Sequence, residues 1–527
     1  MPKLDKTEVK EKKSNKSKKS EKDTKDTKTK KVSRVEEKKK KKDLEPEAGP
    51  KNKSIKVEQP EDFYAVDFDD TLDAIEKGYG LTAASFDPDE ERQSTGLLML
   101  DIMLGKGILP AWYTFAGAEQ SAKSTTVTTI MTAGLNSNIP IIQMWDYEGS
   151  SQPDYLAQIM ETNGITMPVD EVFGIRDPKS GKWVVKPRVR YYSENIAEKF
   201  FDSLARLQRS LPDKVKISGE WYYVYEDTKD NRKKMPQFDK AYWQKTKKLR
   251  TRAKDGTLQA MIFVDSYPAM LPEKQDVDDP NQAIAVQARM FADQLKRVKG
   301  RMKPKRIAVI GVNQLRAIPM AMYGPTENEP GGNALKLFSD VRIKCTSRAL
   351  PAGYGKGQLE EEPSATGTGY DTYRYTHFRH IKNKLSQPNL EGWFRIWTAD
   401  SEGIARGIDI VNDTYRYLVS TGQIIASEQP TATQRNKIVF EGDLNGGKKS
   451  KAISWLEFKI LILGTKKQQA NVYEKMAVKP RNIRKWCFKQ ISEKDGLEKY
   501  FAHKKAIKIG TATRAGDKDE STDDSDD

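Results

Sequence analysis

YTFAGAEQSAKSTTVTTIMTAG, residues 113–134, holds an apolar run, a small-residue loop and a helical pattern in immediate succession. The loop GAEQSAKST, Gly117 to Thr125, departs by one residue from G-x-x-x-x-G-K-[ST]: Ala122 stands where the second glycine is expected. YTFAG reads as a strand and STTVTTIMTAGLNS as a helix ending near Gly134. In that context the backbone of Gly117, Ala118, Glu119, Gln120, Ser121, Ala122 and Thr125 would cradle phosphates at a helix N-terminus. Lys123 would reach the β/γ oxygens and Ser124 would bind Mg²⁺. If position 122 requires a positive φ, alanine costs roughly 1–2 kcal/mol there. It removes neither Lys123, nor Ser124, nor a backbone donor.

Working outward, three more apolar runs end in polar residues. IPIIQMWDYEG ends at Asp146 and Glu148, LQAMIFVDS at Asp265, and PKRIAVIGVNQLR at Asn313 and Gln314. QAIAVQARMFADQLKRVKG between the last two reads as a helix. Strands alternating with helices predict a parallel sheet with its ligand at the carboxyl ends. Asp265 fits the carboxylate that holds a metal's water shell, and Glu148 a base that polarises water against a γ-phosphate. Residues from about 166 to 250 exceed what a strand–helix–strand passage needs. They include GKWVVKPRVRYY, GEWYYVYED and the basic run KTKKLRTRAK, and are expected to form a β-rich insertion with a basic connector.

The charge is distributed unevenly. The net charge is +16; residues 1–60 carry 22 Lys+Arg against 12 Asp+Glu, and 516–527 carry seven acids and one Lys. The region between therefore keeps an excess of +12, which favours a polyanionic partner. The first 57 residues lack the apolar surface to offset ordering entropy and read as a disordered tail, either a solvated spacer or a nucleic-acid or targeting arm. The acidic end reads as disordered too. Two cysteines, Cys345 and Cys487, and three histidines exclude a disulfide framework and a zinc site by spacing. No apolar run has membrane-spanning length, so a soluble protein of the cytoplasm is expected.

STG at 94–96, LDIMLG, the loop, DYEGSSQPDY, VDS, NQLR, GGNALK and IKNK occur in the order found in RecA-type recombinases, and the chain resembles that family from about Asp69 to Tyr417. The match is densest over 313–342, where GGNALK follows NQLR. The resemblance implies a RecA-like α/β ATPase core over 94–400 with a mostly parallel sheet and a small C-terminal α/β domain over 401–515. A polymerisation segment over 58–93 would include a helix capped by Asp69 or Asp70. It further implies that Glu148 is the catalytic glutamate, Gln314 the γ-phosphate sensor, and Gln152 and Tyr155 the adenine-packing residues. Gln152 stands where an Asp is usual. Lys382 and Lys384, one residue apart on a β-like segment and so expected on one face, would reach the ATP of a neighbouring subunit. DNA contacts would come from Arg289 and Lys296, and from Arg316, Ile318, Met322, Tyr323, Gly331 and Gly332 in the second loop. The loose phosphate loop, the insertion and the divergent C-terminus point to a phage-encoded member. The expected activity is ATP-dependent strand exchange with Mg²⁺, on a helical filament over single-stranded DNA aligned with homologous duplex, with single-strand-binding or mediator proteins as further partners. A hexameric helicase on the same core, and a single-strand-binding scaffold with weak ATPase, are the alternatives. Ring against helical assembly separates the first, and single-turnover hydrolysis with and without single-stranded DNA the second.

Overall fold

The computed structural model describes residues 90–149, 151–165, 167–273, 280–317, 327–347, 360–363, 369–399, 406–425, 437–480 and 482–501. Asp69, Asp70, both charged tails and the loop residues Ile318, Met322 and Tyr323 lie outside them.

Helix α1 (Leu98–Met103) leads to β1 (Trp112–Gly117), helix α2 (Lys123–Asn136), β2 (Ile141–Asp146) and α3 (Pro153–Thr162). A short helix α4 (Val169–Phe173) and a hairpin, β3 (Ile175–Arg176) and β4 (Trp183–Val185), precede β5 (Val189–Ser193) and α5 (Ala197–Ser210). Then come β6 (Asp213–Ile217), β7 (Glu220–Glu226), α6 (Lys229–Lys234), α7 (Lys240–Thr246) and β8 (Lys248–Arg252). The core resumes with β9 (Ala260–Asp265), α8 (Pro280–Lys299), β10 (Ile307–Gln314), the pair β11 (Arg316–Ala317) and β12 (Glu327–Asn328), and α9 (Gly332–Phe338). It ends with β13 (Val341–Ser347), β14 (Glu360–Pro363), β15 (Tyr370–Asn383), β16 (Glu391–Ala399), β17 (Gly407–Ile408) and α10 (Ile410–Ser420). Helices α11 (Trp455–Leu463), α12 (Lys466–Met476) and α13 (Ile483–Ser492) follow.

One ten-stranded sheet runs β17-β16-β15-β13-β1-β10-β9-β2-β5, with β14 beside β15. The stretch from β13 to β5 is parallel, and β15, β16 and β17 add antiparallel strands at one side. The sheet is apolar on both faces because helices cover both. In β9, Ala260, Ile262 and Val264 join the cluster of Trp112, Phe200, Phe201 and Phe291 under α5 and α8. Met261 and Phe263, pointing the other way, join Val127, Ile130 and the C-terminal helices. Trp455, Phe458, Cys487 and Tyr500 belong to that second cluster, so the described C-terminal helices share a core with the sheet.

The expected insertion is narrower than 166–250. β5 pairs in parallel with β2 from Ile142↔Val189 to Asp146↔Ser193, and Phe200 and Phe201 of α5 are fully buried under the sheet. GKWVVKPRVRYY thus supplies an edge strand of the main sheet. Besides the small β3–β4 hairpin, the part with its own sheet is 213–252, where β6, β7 and β8 form a separate three-stranded antiparallel sheet. Alternating aromatic and polar residues look alike in an edge strand and in an isolated one, and the sequence pattern does not separate them. Helix α2 runs to Asn136, beyond the expected end, because Gly134 fits closely beside Met261 and Ile142 rather than terminating the helix.

Candidate active site

The ends of β1, β10, β9 and β2 lie side by side. Gly117 pairs with Gln314 and Asp146 with Asp265, so the four runs of the sequence converge on one edge. Gly117 has to be glycine by close approach: a Cβ there would sit 2.2 Å from the Cys345 carbonyl oxygen and 2.5 Å from Ser121 Oγ. Ala122 caps α2 with φ 64°, in the left-handed region. The position does require a positive φ, so the alanine carries strain of about 1 kcal/mol. Five threonines in α2 would weaken an isolated helix. Here four of their hydroxyls donate to carbonyls one turn back, as Thr126 does to Ala122 at 2.7 Å and Thr129 to Thr125 at 2.9 Å.

Lys123 folds over the loop, its Nζ donating to Ala118 O at 2.6 Å and Ser121 Oγ at 3.3 Å. Burial lowers its pKa, against the pull of Cys345, Asp265, Glu148 and Glu119. Ala118, Glu119, Gln120 and Ser124 are exposed at the mouth. Burial pushes the Asp265 carboxyl up to about 7; the Ser124 side-chain hydrogen bond and Lys123 oppose this, while Glu148 and Asp146 add to it. The Ser124 hydroxyl and the Asp265 carboxylate are hard oxygen donors, as Mg²⁺ requires. Among the described residues no three His, Cys, Asp or Glu converge as a metal cage.

Glu148 sits two residues past β2. Its Oε1 accepts from Gln314 Nε2 at 2.8 Å and from Ser266 Oγ. The expected catalytic glutamate and the expected sensor are therefore directly bonded. Asp146 holds the turn that carries Glu148: it accepts from the backbone N–H groups of Glu148 (3.1 Å), Gly149 (2.9 Å) and Ser151 (2.9 Å), and from Tyr191 Oη at 2.6 Å. Burial works to raise the Asp146 pKa, but the bonds from Tyr191, Ser151 and Gly149 outweigh it and leave the carboxyl below its ordinary value. The sequence alone singles out neither Asp146 nor Tyr191 as a site residue. Asp146 is legible in principle as an Asx turn, Asp with Gly three residues on; Tyr191 is hidden because it lies in the passage that reads as insertion. Tyr155, 38% exposed, sits 3.2 Å from Thr125 Oγ1 through its hydroxyl, and Gln152 precedes α3 without capping it by its side chain.

Other expected residues lie elsewhere. Lys382 pairs across strands with Arg342, near the start of β13, whose first residue Val341 pairs with Tyr113 at the start of β1. The phosphate loop leaves the other end of β1, roughly 13 Å away along the strand. Lys382 Nζ donates to Lys336 O and Leu337 O, both at 2.8 Å, at the C-terminal end of α9. Burial, then Lys384 and Arg342, lower its pKa, while Asp340 raises it. β15 ends at Asn383, so strand alternation does not extend to Lys384, which is exposed with its N–H on Asp340 O. Arg289 and Lys296 are exposed on α8. Arg316 pairs with Asn328 in the β11–β12 ladder that closes the base of the second loop. Gly331 and Gly332 take φ 88° and 70°, and a Cβ on Gly332 would lie 2.7 Å from Ala288 Cβ. Their left-handed backbone and the close seating of α9 on α8 account for both glycines structurally.

Residues 246–397 match the family model of the RecA N-terminal domain. Protein RecA of Aquifex pyrophilus is 34% identical over 153 residues, 29% of this chain and 39% of that protein. Protein RecA of Pseudomonas putida is 26% identical over 385 residues, 72% of this chain and 83% of that protein. That of Thermus aquaticus is 29% identical over 165 residues, 31% of this chain and 43% of that protein. The alignment thus spans about two fifths of the Aquifex and Thermus proteins and most of the Pseudomonas one. Residues 117–125 lie before the family-model match. With the strand–loop–helix geometry and the parallel sheet, these matches make residues 246–397 similar to the RecA N-terminal domain and the chain similar to RecA proteins over most of its core.

Proposed function

We propose that this chain is an ATP-dependent recombinase of the cytoplasm that polymerises on single-stranded DNA, pairs it with homologous duplex and exchanges strands. The observation that carries the reading is the Glu148–Gln314 hydrogen bond of 2.8 Å beside the phosphate loop. Gln314 ends β10 and is two residues from Arg316, where the second loop begins. A change in what Glu148 accepts is therefore passed to that loop within a few residues of rigid backbone.

Each group has a task on this reading. Lys123 would leave its Ala118 carbonyl to meet the β/γ oxygens of ATP, and the loop N–H groups would hold the phosphates. Ser124 and Asp265 would hold Mg²⁺, which neutralises phosphate charge when bound. Glu148 would orient the attacking water, and Gln314, freed from it, would donate to the γ-phosphate. Tyr155 and Gln152 would line the adenine side. Arg289, Lys296 and Arg316 would neutralise DNA phosphates.

Lys382 and Lys384 would act on the nucleotide of a neighbouring protomer. Their position at the far end of β1 from their own loop supports action in trans, since no short movement within one chain brings them to it. ATP hydrolysis would then require the filament. The test mixes two inactive variants, Glu148→Gln and the double Lys382→Ala/Lys384→Ala, on single-stranded DNA. A junction between an intact Glu148 and intact lysines forms in the mixture alone, so hydrolysis is expected to recover. Co-filaments with no recovery at any ratio would refute the shared site. A joint-molecule assay with homologous and heterologous duplex tests strand exchange itself.

A further inference from the structure

The unit formed by β6, β7, β8, α6 and α7 takes no part in the site above. Residues 213–252 carry 12 Lys+Arg against 6 Asp+Glu, and KAYWQKTKKLRTR, 240–252, carries six cations and no acid. Several of the unit's acids are engaged internally. Asp227 binds Arg232 and accepts from Trp243 Nε1 at 2.7 Å, Asp239 pairs with Arg250 at 2.6 Å, and Glu220 pairs with Arg252. The aromatic faces are covered as well. Arg232 and Lys247 lie 5.2 and 4.7 Å from the Trp243 ring centre, and Arg250 lies 4.5 and 4.4 Å from those of Tyr222 and Tyr242. Asp227 and Trp243 thereby lock α6 to α7. Lys229, Lys233, Lys234, Lys240 and Lys245 remain on these two helices, exposed and without an acidic partner among the described residues, against one exposed acid there, Asp230.

We propose that this α6–α7 face binds the phosphate backbone of duplex DNA, as an accessory surface separate from the filament's loops. The inference rests on the recombinase reading, which supplies a duplex as second partner. Single-strand binders stack bases on open aromatic faces. Here cations already lie over the rings, which leaves bases a poor platform, and the free groups are lysine ammonium charges in excess over the one exposed carboxylate of Asp230. Such a surface reads charge density, and duplex DNA presents one charge per about 1.7 Å of axis, twice that of one strand. The face would concentrate duplex beside the filament without reading sequence.

The full-length protein would carry Lys233→Gln, Lys234→Gln, Lys240→Gln and Lys245→Gln together, beside a matched set of Lys→Arg changes. Binding to a labelled mixed-sequence duplex and to its single strand is titrated with salt. The glutamine set should weaken duplex binding about tenfold at roughly 0.1 M salt and reduce the salt slope by about 0.9 for each phosphate no longer neutralised. Single-strand affinity and single-strand-stimulated ATP hydrolysis should stay within twofold, and the arginine set should bind duplex like the unaltered protein. Unchanged duplex affinity and slope would overturn the proposal. So would an equal loss on single strands, or a loss confined to an acidic polypeptide such as polyglutamate, which would assign the face to a protein partner. Absence of single-strand-stimulated hydrolysis in the unaltered protein would overturn the recombinase reading, and the duplex titration would still decide this one.

Discussion

The end of the central sheet proposed to take the nucleotide, called the nucleotide end below, and the 213–252 unit are both polar, and they are assembled in opposite ways. At the nucleotide end, Gly117, Asp146, Asp265 and Gln314 come from four strands spread over the chain and meet through parallel register. In the inserted unit, the pairs Asp227–Arg232, Asp239–Arg250 and Glu220–Arg252 join residues within one short segment. Long-range assembly places groups to within a fraction of an ångström of a reacting atom, because the buried sheet fixes every strand end. Local assembly makes a stable charged surface whose details matter little to the rest of the molecule. Changes at the first region should therefore act on chemistry, and changes at the second on the unit's own stability and ligands.

The largest test of that contrast is Lys123→Ala. No other cation sits on the phosphate loop, so ATP hydrolysis should fall by about 10³-fold, comparable to losing a principal electrostatic clamp. Near-normal turnover would remove the site assignment. Next is Glu148→Gln, which keeps the shape and retains an oxygen for Gln314 while losing the basic carboxylate. Hydrolysis should slow by about 10²-fold with nucleotide binding retained, giving long-lived filaments visible by microscopy. A parallel loss of binding would mean that Glu148 holds the loop rather than the water.

The inserted unit supplies the counter-test. Trp243→Ala removes a half-buried ring, two cation contacts and the Nε1 bond to Asp227. The unit should lose about 2 kcal/mol of local stability, seen as faster amide exchange across 213–252. Hydrolysis should stay within twofold. Should it fall with the exchange, the two regions are coupled and the contrast fails.

Legibility in the sequence follows the same division. The strands of the nucleotide end are readable because each is a nearly continuous apolar run, as burial on both faces demands. Their terminal Asp146, Glu148, Asp265 and Gln314 stand out as polar stops. The edge strand β5 is not readable as part of that sheet: VRYYS is half-exposed, and its aromatic and basic residues resemble those of the inserted β7. Tyr191 is hidden with it, since its role depends on pairing with a strand some 45 residues away. The position of Lys382 on the far side from the loop is also invisible, because it follows from the order of β15, β13 and β1 and from their relative directions, and no local pattern encodes that order. The DNA contacts at Arg289 and Lys296 and the N-terminal segment remain expectations from the resemblance.

Tyr191→Phe sharpens the contrast from inside the site. The phenol donates to Asp146, which holds the amides of the turn bearing Glu148. Losing one charge-assisted bond of about 1.5 kcal/mol should loosen the turn and lower kcat by roughly tenfold, with KM for ATP unchanged. A merely structural role would instead lower the unfolding midpoint without a selective change in kcat. Both quantities are measured on the same preparation.

Ala122→Gly is the smallest change and bears on the first region alone. Ala122 holds φ 64° at the start of α2, where glycine meets no Cβ penalty. Two effects oppose each other. Glycine relieves the left-handed strain, about 1 kcal/mol or slightly more, and it raises the entropy of the unfolded chain by an amount worth roughly 0.4–1 kcal/mol. The balance is a gain of a few tenths of a kcal/mol to about 1 kcal/mol, read from the denaturant midpoint at unchanged slope. Ala122 is 6% exposed and its methyl belongs to the main core cluster, so a net loss of stability would show that packing of this methyl outweighs the backbone term. Turnover should change less than threefold, because Lys123, Ser124 and the loop N–H groups keep their positions. A gain in turnover far beyond that would mean that the strained alanine holds the loop away from its productive form, making position 122 a brake on hydrolysis rather than a tolerated departure from pattern.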